Sequence, residues 1–416
     1  MNGKQGLLLI ADGLGDRPIP ELGGRTPLEQ ATTPNMDFFA ARGLCGNVHP
    51  YKPGIPVGTD VGHLVIFGFD PDEVYPGRGP LEAFSAGIMM GPDDIAFRGN
   101  FATVDERSHV LDRRAGRIAS GTRELAAALD GMQLGGGARV LAKPLTEHRV
   151  AIVFRQAGLS TAVTPTDPNV SGPDVALPAC TPTDGSAEAA RTASLVNEFT
   201  TLCRQHLDPH PVNRQRRAEG KPPANVVLLR GVGRTSSVVP IGCQFKLTCA
   251  CVAGDLTVLG IARLVGLETF HNKSFTGGIR SDLQAKARQA IDCVRQGFDW
   301  TVVHVKGPDL CGHDGNPLEK IRVIEDIDGM FGLFRRHLDL DRTIISLTGD
   351  HSTPCEKGDH SGDPVPTFIS GPTVRRDGIA VTGESSFRTG SLSGLTARDV
   401  FRTQLDQLNM MPKRGA

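Results

Sequence analysis

The chain has 416 residues, of which 39% are hydrophobic and 22% charged, with a formal net charge of -1. That length exceeds one ordinary core and predicts two domains of the usual size, roughly 100 to 200 residues each. The composition is globular, and the near-zero charge excludes the basic footprint of a nucleic-acid binder and the polybasic signal of a membrane-surface protein, which leaves small molecules as the expected partners.

The first predicted element is a strand over Gly6–Ile10 that runs directly into Asp12-Gly13. Its apolar run is too short for a signal-peptide core, and no segment approaches the roughly 20 apolar residues that span a bilayer. From 94 to 252 the texture changes, with a Pro-, Thr-, Asp- and Ser-rich stretch over Thr164–Ser186 and an Arg-rich one over His206–Lys221. This region is predicted to be an inserted second domain, and 1–93 together with 253–416 to form the first. Beyond it come a helical stretch over Leu283–Arg295, a strand over Thr301–Val305, a second helical stretch over Ile321–Phe334 and a strand over Thr343–Leu347. The alternation predicts a doubly wound, mostly parallel α/β sheet, in which ligands collect at the carboxyl ends of the strands. Nine cysteines at irregular spacing are an odd number in a long chain, which points to a reducing compartment and hence the cytoplasm. Cys249 and Cys251 have no second ligand pair at zinc-finger spacing and read as buried apolar thiols.

Each of the three strands ends at a polar cluster. They are Asp12-Gly13, the segment Lys306–Gly315 with Asp309 and His313, and the segment Thr348–Thr353 with Asp350 and His351, which His360-Ser361-Gly362-Asp363 follows closely. A fourth segment, Gly58-Thr59-Asp60, adds a hydroxyl. One Asp after a strand is usually a turn or a helix cap. Three such clusters on one sheet are brought together by the fold, and their carboxylates and imidazoles suit manganese, magnesium, zinc or iron. Only Cys311 and Cys355 lie nearby as thiols, which disfavours a closed structural zinc site.

The match then becomes specific: DGLGDRP at 12–18, RTPLEQATTPNMD at 25–37, GRGPLEAFSAGI at 77–88, FRGNFATVD at 97–105, LDRRAGRI at 111–118, PPANVVLLRG at 222–231, KGPDLCGHDG at 306–315, and TGDHSTPC with HSGDPVP over 348–366. Along nearly its whole length the chain resembles the alkaline phosphatase superfamily, and most closely the cofactor-independent phosphoglycerate mutases of archaeal type. The resemblance implies an alkaline-phosphatase-like α/β fold with an inserted α/β domain. It also implies interconversion of 3- and 2-phosphoglycerate without 2,3-bisphosphoglycerate, and two divalent ions, manganese first, with magnesium, zinc, cobalt or iron as alternatives.

By position, the resemblance assigns one ion to Asp309, His313 and His360, and the other to Asp12, Asp350 and His351 with the Thr59 oxygen. Thr59 becomes the nucleophile, since a dication beside a hydroxyl favours the alkoxide. Lys286 and Lys306 are expected near the transferring phosphoryl group. Arg113, Arg117 and Arg230 are expected to bind substrate, with Arg114 and Arg149 as further candidates. Two departures bear on the substrate. Thr59 stands where the family carries serine, and Asn169 where it commonly carries histidine after Asp-Pro. Gly62, in place of alanine, is read as opening space beside Thr59. The alternatives are a related two-metal phosphotransferase acting on another phospho- or phosphono-carboxylate, or a phosphatase or phosphonate hydrolase.

Overall fold

In the computed structural model, residues 4–235 and 238–415 are described. The strands are β1 (Gln5–Ala11), β2 (Gly43–Val48), β3 (Ile95–Val104), β4 (Val110–Asp112), β5 (Arg139–Pro144), β6 (Arg149–Arg155), β7 (Val226–Arg234), β8 (Cys249–Val252), β9 (Glu268–Phe270), β10 (Trp300–Val305), β11 (Thr343–Thr348) and β12 (Val365–Ser370). They fall into two compact units, one formed by residues up to Val74 and from Val239 onward, the other by Tyr75–Val238.

In the first unit seven strands lie in the order β2-β12-β11-β1-β10-β8-β9. From β11 to β9 every pairing is parallel, and only β12 runs against its neighbours. Parallel strands are covered on both faces and so read as unbroken apolar runs. Leu7, Leu9, Val303, Val305, Ile345 and Leu347 pack on one face with residues of the helices Leu283–Gln296 and Pro317–His337. On the opposite face Trp300 meets Phe67 and Phe401 edge-on, at centroid distances of 6.0 and 5.3 Å. The doubly wound sheet expected from the sequence is therefore present. Among the described residues no helix is long and apolar enough to cross a membrane.

The second unit is a five-stranded antiparallel sheet ordered β4-β3-β6-β5, with β7 also paired to β3. Its core includes Phe97, Phe101, Phe154 and Phe199. The unit begins at Tyr75 rather than 94 and ends at Val238 rather than 252. At its start the helix Arg78–Ser85 packs on β3 and β7, and Arg98 lies 3.1 Å from Glu82. At its end β8 pairs with β10 in the parallel sheet, although its four residues carry no pattern that assigns them to either sheet.

Candidate metal centre

The loops after β1, β10 and β11 leave the sheet at the carboxyl ends of three adjacent parallel strands, where their polar residues converge. Asp309, His313 and His360 form one group and Asp12, Asp350 and His351 another; within each, one potential ligand atom per residue lies within 4.8 Å of the others. This is the division implied by the resemblance.

The hydrogen bonds fix which imidazole nitrogens face inward. His313 Nδ1 lies 2.9 Å from the Gly358 carbonyl and His360 Nδ1 lies 2.8 Å from that of Val57. A carbonyl only accepts, so each Nδ1 carries the proton and each Nε2 turns its lone pair inward. The two Nε2 atoms are 3.2 Å apart, and each is 3.4 Å from Asp309 Oδ1. The second group repeats this logic through a hydroxyl. Thr353 Oγ1 donates to Asp309 Oδ1 at 2.7 Å and therefore accepts from His351 Nδ1 at 3.0 Å. His351 Nε2 then points toward Asp12 Oδ1 and Asp350 Oδ2, 3.4 Å from each, and is also 3.4 Å from Thr59 Oγ1. Lone pairs and carboxylate oxygens crowded in this way fit divalent cations.

The electrostatics agree. Burial, followed by the neighbouring Asp350 carboxylate, pushes Asp12 up to about 7. Burial holds His351 below the ordinary imidazole range, in its ligating neutral form. Burial is also the largest influence on His360, pulling it down, but the bond to Asp309 outweighs it and raises the imidazole. A proton and a metal ion would thus compete for that nitrogen. Lys306 joins the two groups: its Nζ is 2.9 Å from Asp12 Oδ2, 2.8 Å from Asp309 Oδ2 and 3.2 Å from Thr59 Oγ1.

Thr59 is the first residue of the helix Thr59–Ile66, which lies against the Asp350 loop. A Cβ on Gly62 would come within 2.4 Å of the Asp350 carbonyl oxygen. Gly62 therefore permits this close approach, and the space it leaves is not beside Thr59. At the end of β1, Gly13 has φ +65°, and a Cβ there would meet Asp309 Cα at 2.6 Å.

Lys286 is not among the groups gathered at Thr59. It is fully buried, and its Nζ donates to the backbone carbonyls of His304 at 3.1 Å and Thr276 at 3.4 Å. Burial lowers it to about 8. Its helix carries Leu283, Ala287 and Ala290 into the core, and Lys286 lies on that same inward stripe.

The expected arginines belong to the second unit. The Arg113 guanidinium is already engaged, with Nε and Nη2 on Asp167 at 2.6 and 2.7 Å and Nη1 on the Asn169 carbonyl at 2.9 Å. Arg230 Nε lies 3.5 Å from Asp167, while Arg114, Arg117 and Arg149 are exposed. Arg78, Arg98, Arg149 and Arg230 surround Glu82, whose carboxyl is raised by burial against their opposing pull. Sequence reasoning did not single out Arg78, Arg98 or Glu82. It also missed two buried histidines of the first unit, His63 and His304. Their signals were present, since His304 interrupts an apolar strand and His63 follows Thr59 by one helical turn.

Fold and site together define a doubly wound α/β protein with a candidate two-metal centre at its strand ends. The model of the 2,3-bisphosphoglycerate-independent phosphoglycerate mutases matches residues 40–213. A protein of that name from Thermococcus kodakarensis is 41% identical over 100% of both chains. Among solved structures, one of a Pyrococcus horikoshii protein is 35% identical over 100% of both chains with a TM-score of 0.85. The cofactor-independent phosphoglycerate mutase of Thermoplasma acidophilum is 32% identical over 97% of this chain and 100% of its own, with a TM-score of 0.79. The chain belongs to the 2,3-bisphosphoglycerate-independent phosphoglycerate mutase family, a family of isomerases.

Proposed function

We propose that the chain interconverts 3-phosphoglycerate and 2-phosphoglycerate by way of a phosphothreonine at Thr59. The observation that carries this reading is the position of Thr59 Oγ1, 3.4 Å from His351 Nε2 and 3.2 Å from Lys306 Nζ. Asp309, His313 and His360 would hold one divalent ion, and Asp12, Asp350, His351 and the Thr59 oxygen the other, with manganese first among the candidates. Bound there, the ions supply positive charge that makes the hydroxyl nucleophilic and offsets the charge of the phosphoryl oxygens.

The chain's own groups act in the same direction. Lys306 donates to Thr59 Oγ1 and favours its oxyanion. The Thr59–Ile66 helix presents its amino end, where the aligned peptide dipoles favour negative charge. The β-branch of threonine restricts χ1, which holds the oxygen in one orientation. In the second unit Arg230 and Arg149, with Arg78 and Arg98, form a cationic group around Glu82 suited to a carboxylate and a phosphate, and the exposed Arg117 is a further candidate. Arg113 has its fork filled by Asp167 and serves to fix that loop.

Phosphorus NMR of the manganese-loaded protein with 3-phosphoglycerate tests the reading. The expected result is 2-phosphoglycerate without free phosphate, and no conversion by Thr59→Ala. Two observations support a second reading on another phospho- or phosphono-carboxylate: the threonine at 59, and Asn169 turned back onto Arg113. Release of inorganic phosphate alone makes the protein a hydrolase, and no turnover of phosphoglycerate favours the other substrate class.

A further inference from the structure

His304 lies on β10 between β8 and β1, with its side chain fully buried. A histidine inside a parallel sheet is costly unless it is bonded. It has one polar side-chain contact, from ring Nε2 to Asp12 Oδ2 at 2.9 Å, and its Nδ1 has no hydrogen-bond partner. Since a carboxylate only accepts, Nε2 carries the proton. Lys306 Nζ reaches both Asp12 oxygens, at 2.9 Å from Oδ2 and 3.1 Å from Oδ1, so it does not choose between them; the His304 bond falls on Oδ2 alone and turns Oδ1 toward His351 Nε2, at 3.4 Å. The ring and its backbone each have a buried neighbour. His63 meets the ring edge-on at a centroid distance of 5.1 Å, and Lys286 Nζ grips the His304 carbonyl at 3.1 Å.

We propose that His304 is a positioning residue for the Asp12–Asp350–His351 ligand set, fixing the Asp12 carboxylate so that one chosen oxygen faces the ion. The inference rests on the two-metal reading above and deepens it. Lys286 belongs to the same device one step further back: it anchors the strand that carries the ring. Among the described residues no fully buried histidine is hydrogen-bonded to Asp309 of the other set, which is braced by the Thr353 hydroxyl and Lys306 instead. Loss of the His304 bond therefore affects one ion and spares the other. Partners that orient a ligand in this way typically contribute about 10- to 100-fold in metal affinity.

The test uses two amides of different reach. In His304→Gln the side-chain NH2 falls near the place of Nε2, within reach of Asp12. In His304→Asn it falls near the place of Nδ1 and misses it. Manganese binding to the metal-stripped full-length protein is followed by calorimetry and by electron paramagnetic resonance of the free ion, with thermal unfolding as a check on the fold. The parent is expected to take up two ions. His304→Asn is expected to keep one at parental affinity and to bind the other about 10- to 100-fold more weakly, whereas His304→Gln stays near the parent. His313→Ala identifies the spared ion, because combining it with His304→Asn weakens both. Parental affinity for both ions in His304→Asn overturns the proposal. So does equal weakening in the asparagine and glutamine variants, or weakening of the ion that His313→Ala removes. A parent that binds fewer than two ions overturns the two-metal reading itself, and this inference with it.

Discussion

The two proposed ligand sets offer similar atoms but are built differently. Asp12, Asp350 and His351 are each 0% exposed and are braced by other buried side chains. In the second set the His313 and His360 side chains are 36% and 19% exposed, and their tautomers are fixed by two loop carbonyls. A buried set depends on its internal charge balance, because water cannot replace a missing partner. An open set can exchange a ligand for water. Asp350→Ala breaks the comparison most severely. Burial, the largest influence on the Asp350 carboxyl, pushes it up, yet His351 and His63 hold it well below the usual range. Removing that charge from its buried partners is expected to cost about 3–5 kcal/mol of folding stability by chemical denaturation, and to abolish tight binding of one ion. An Asp350→Ala protein as stable as the parent would contradict this account of the buried set.

The scaffold behind the buried set adds a second effect, in the pH dependence of stability. Glu384 accepts from the Asp16 amide at 3.2 Å and from Thr26 Oγ1 at 2.6 Å, and burial pushes its carboxyl up to about 7 from an ordinary 4.5. Between those two values the folded chain keeps the proton while the unfolded chain has released it. Stability therefore falls as pH rises from about 4.5 to 7, and the loss is complete above 7. The full span is on the order of 3 kcal/mol. Glu384→Gln keeps an acceptor and removes the titration, so the parent-minus-variant difference in denaturation free energy should slope downward across that window and level off at both ends. A difference that is flat with pH would place the proton elsewhere.

The open set should fail more gently. His313→Ala is expected to fold with a parental unfolding curve, to bind one ion roughly 10- to 100-fold more weakly by manganese titration, and to recover turnover when manganese is raised. Failure to recover at saturating metal would mean that His313 does more than ligate.

The parallel sheet and the polar clusters at its strand ends were legible in the sequence for one physical reason, whereas the division of those clusters into two proposed ligand sets came from the resemblance. Each strand is a short apolar run buried on two faces, and each ends at residues that are expensive to bury, so boundary and site are marked together. The bracing residues carried a weaker mark, a polar residue inside an element and not at its end. His304 sits within the apolar run of β10, where its partner Asp12 is distant in sequence, and Lys286, expected near the transferring phosphoryl group, lies on the buried stripe of its helix. The domain edge was misread at β8 because four apolar residues pair equally well in either sheet until the register is known. In the second unit, charge on Arg113 suggested a free clamp, and only the fold brings Asp167 onto it.

The smallest expected effect tests whether the two sets are independent. Thr353, like Lys306, bonds a residue of each set: its hydroxyl accepts from His351 and donates to Asp309. Thr353→Val keeps the branched shape and removes both bonds, leaving His351 Nδ1 without its buried partner and Asp309 Oδ1 short of a donor. Neither group leaves its place, because Asp309 retains Lys306 and His351 remains packed on His360 at a centroid distance of 3.6 Å. The expected outcome is a weakening of both ions by about 10-fold each, at the low end for groups that orient ligands. Loss of affinity at one ion alone would show that the hydroxyl serves a single set. Equal loss at both would mean that the buried and the open halves of the centre are set by one shared hydroxyl.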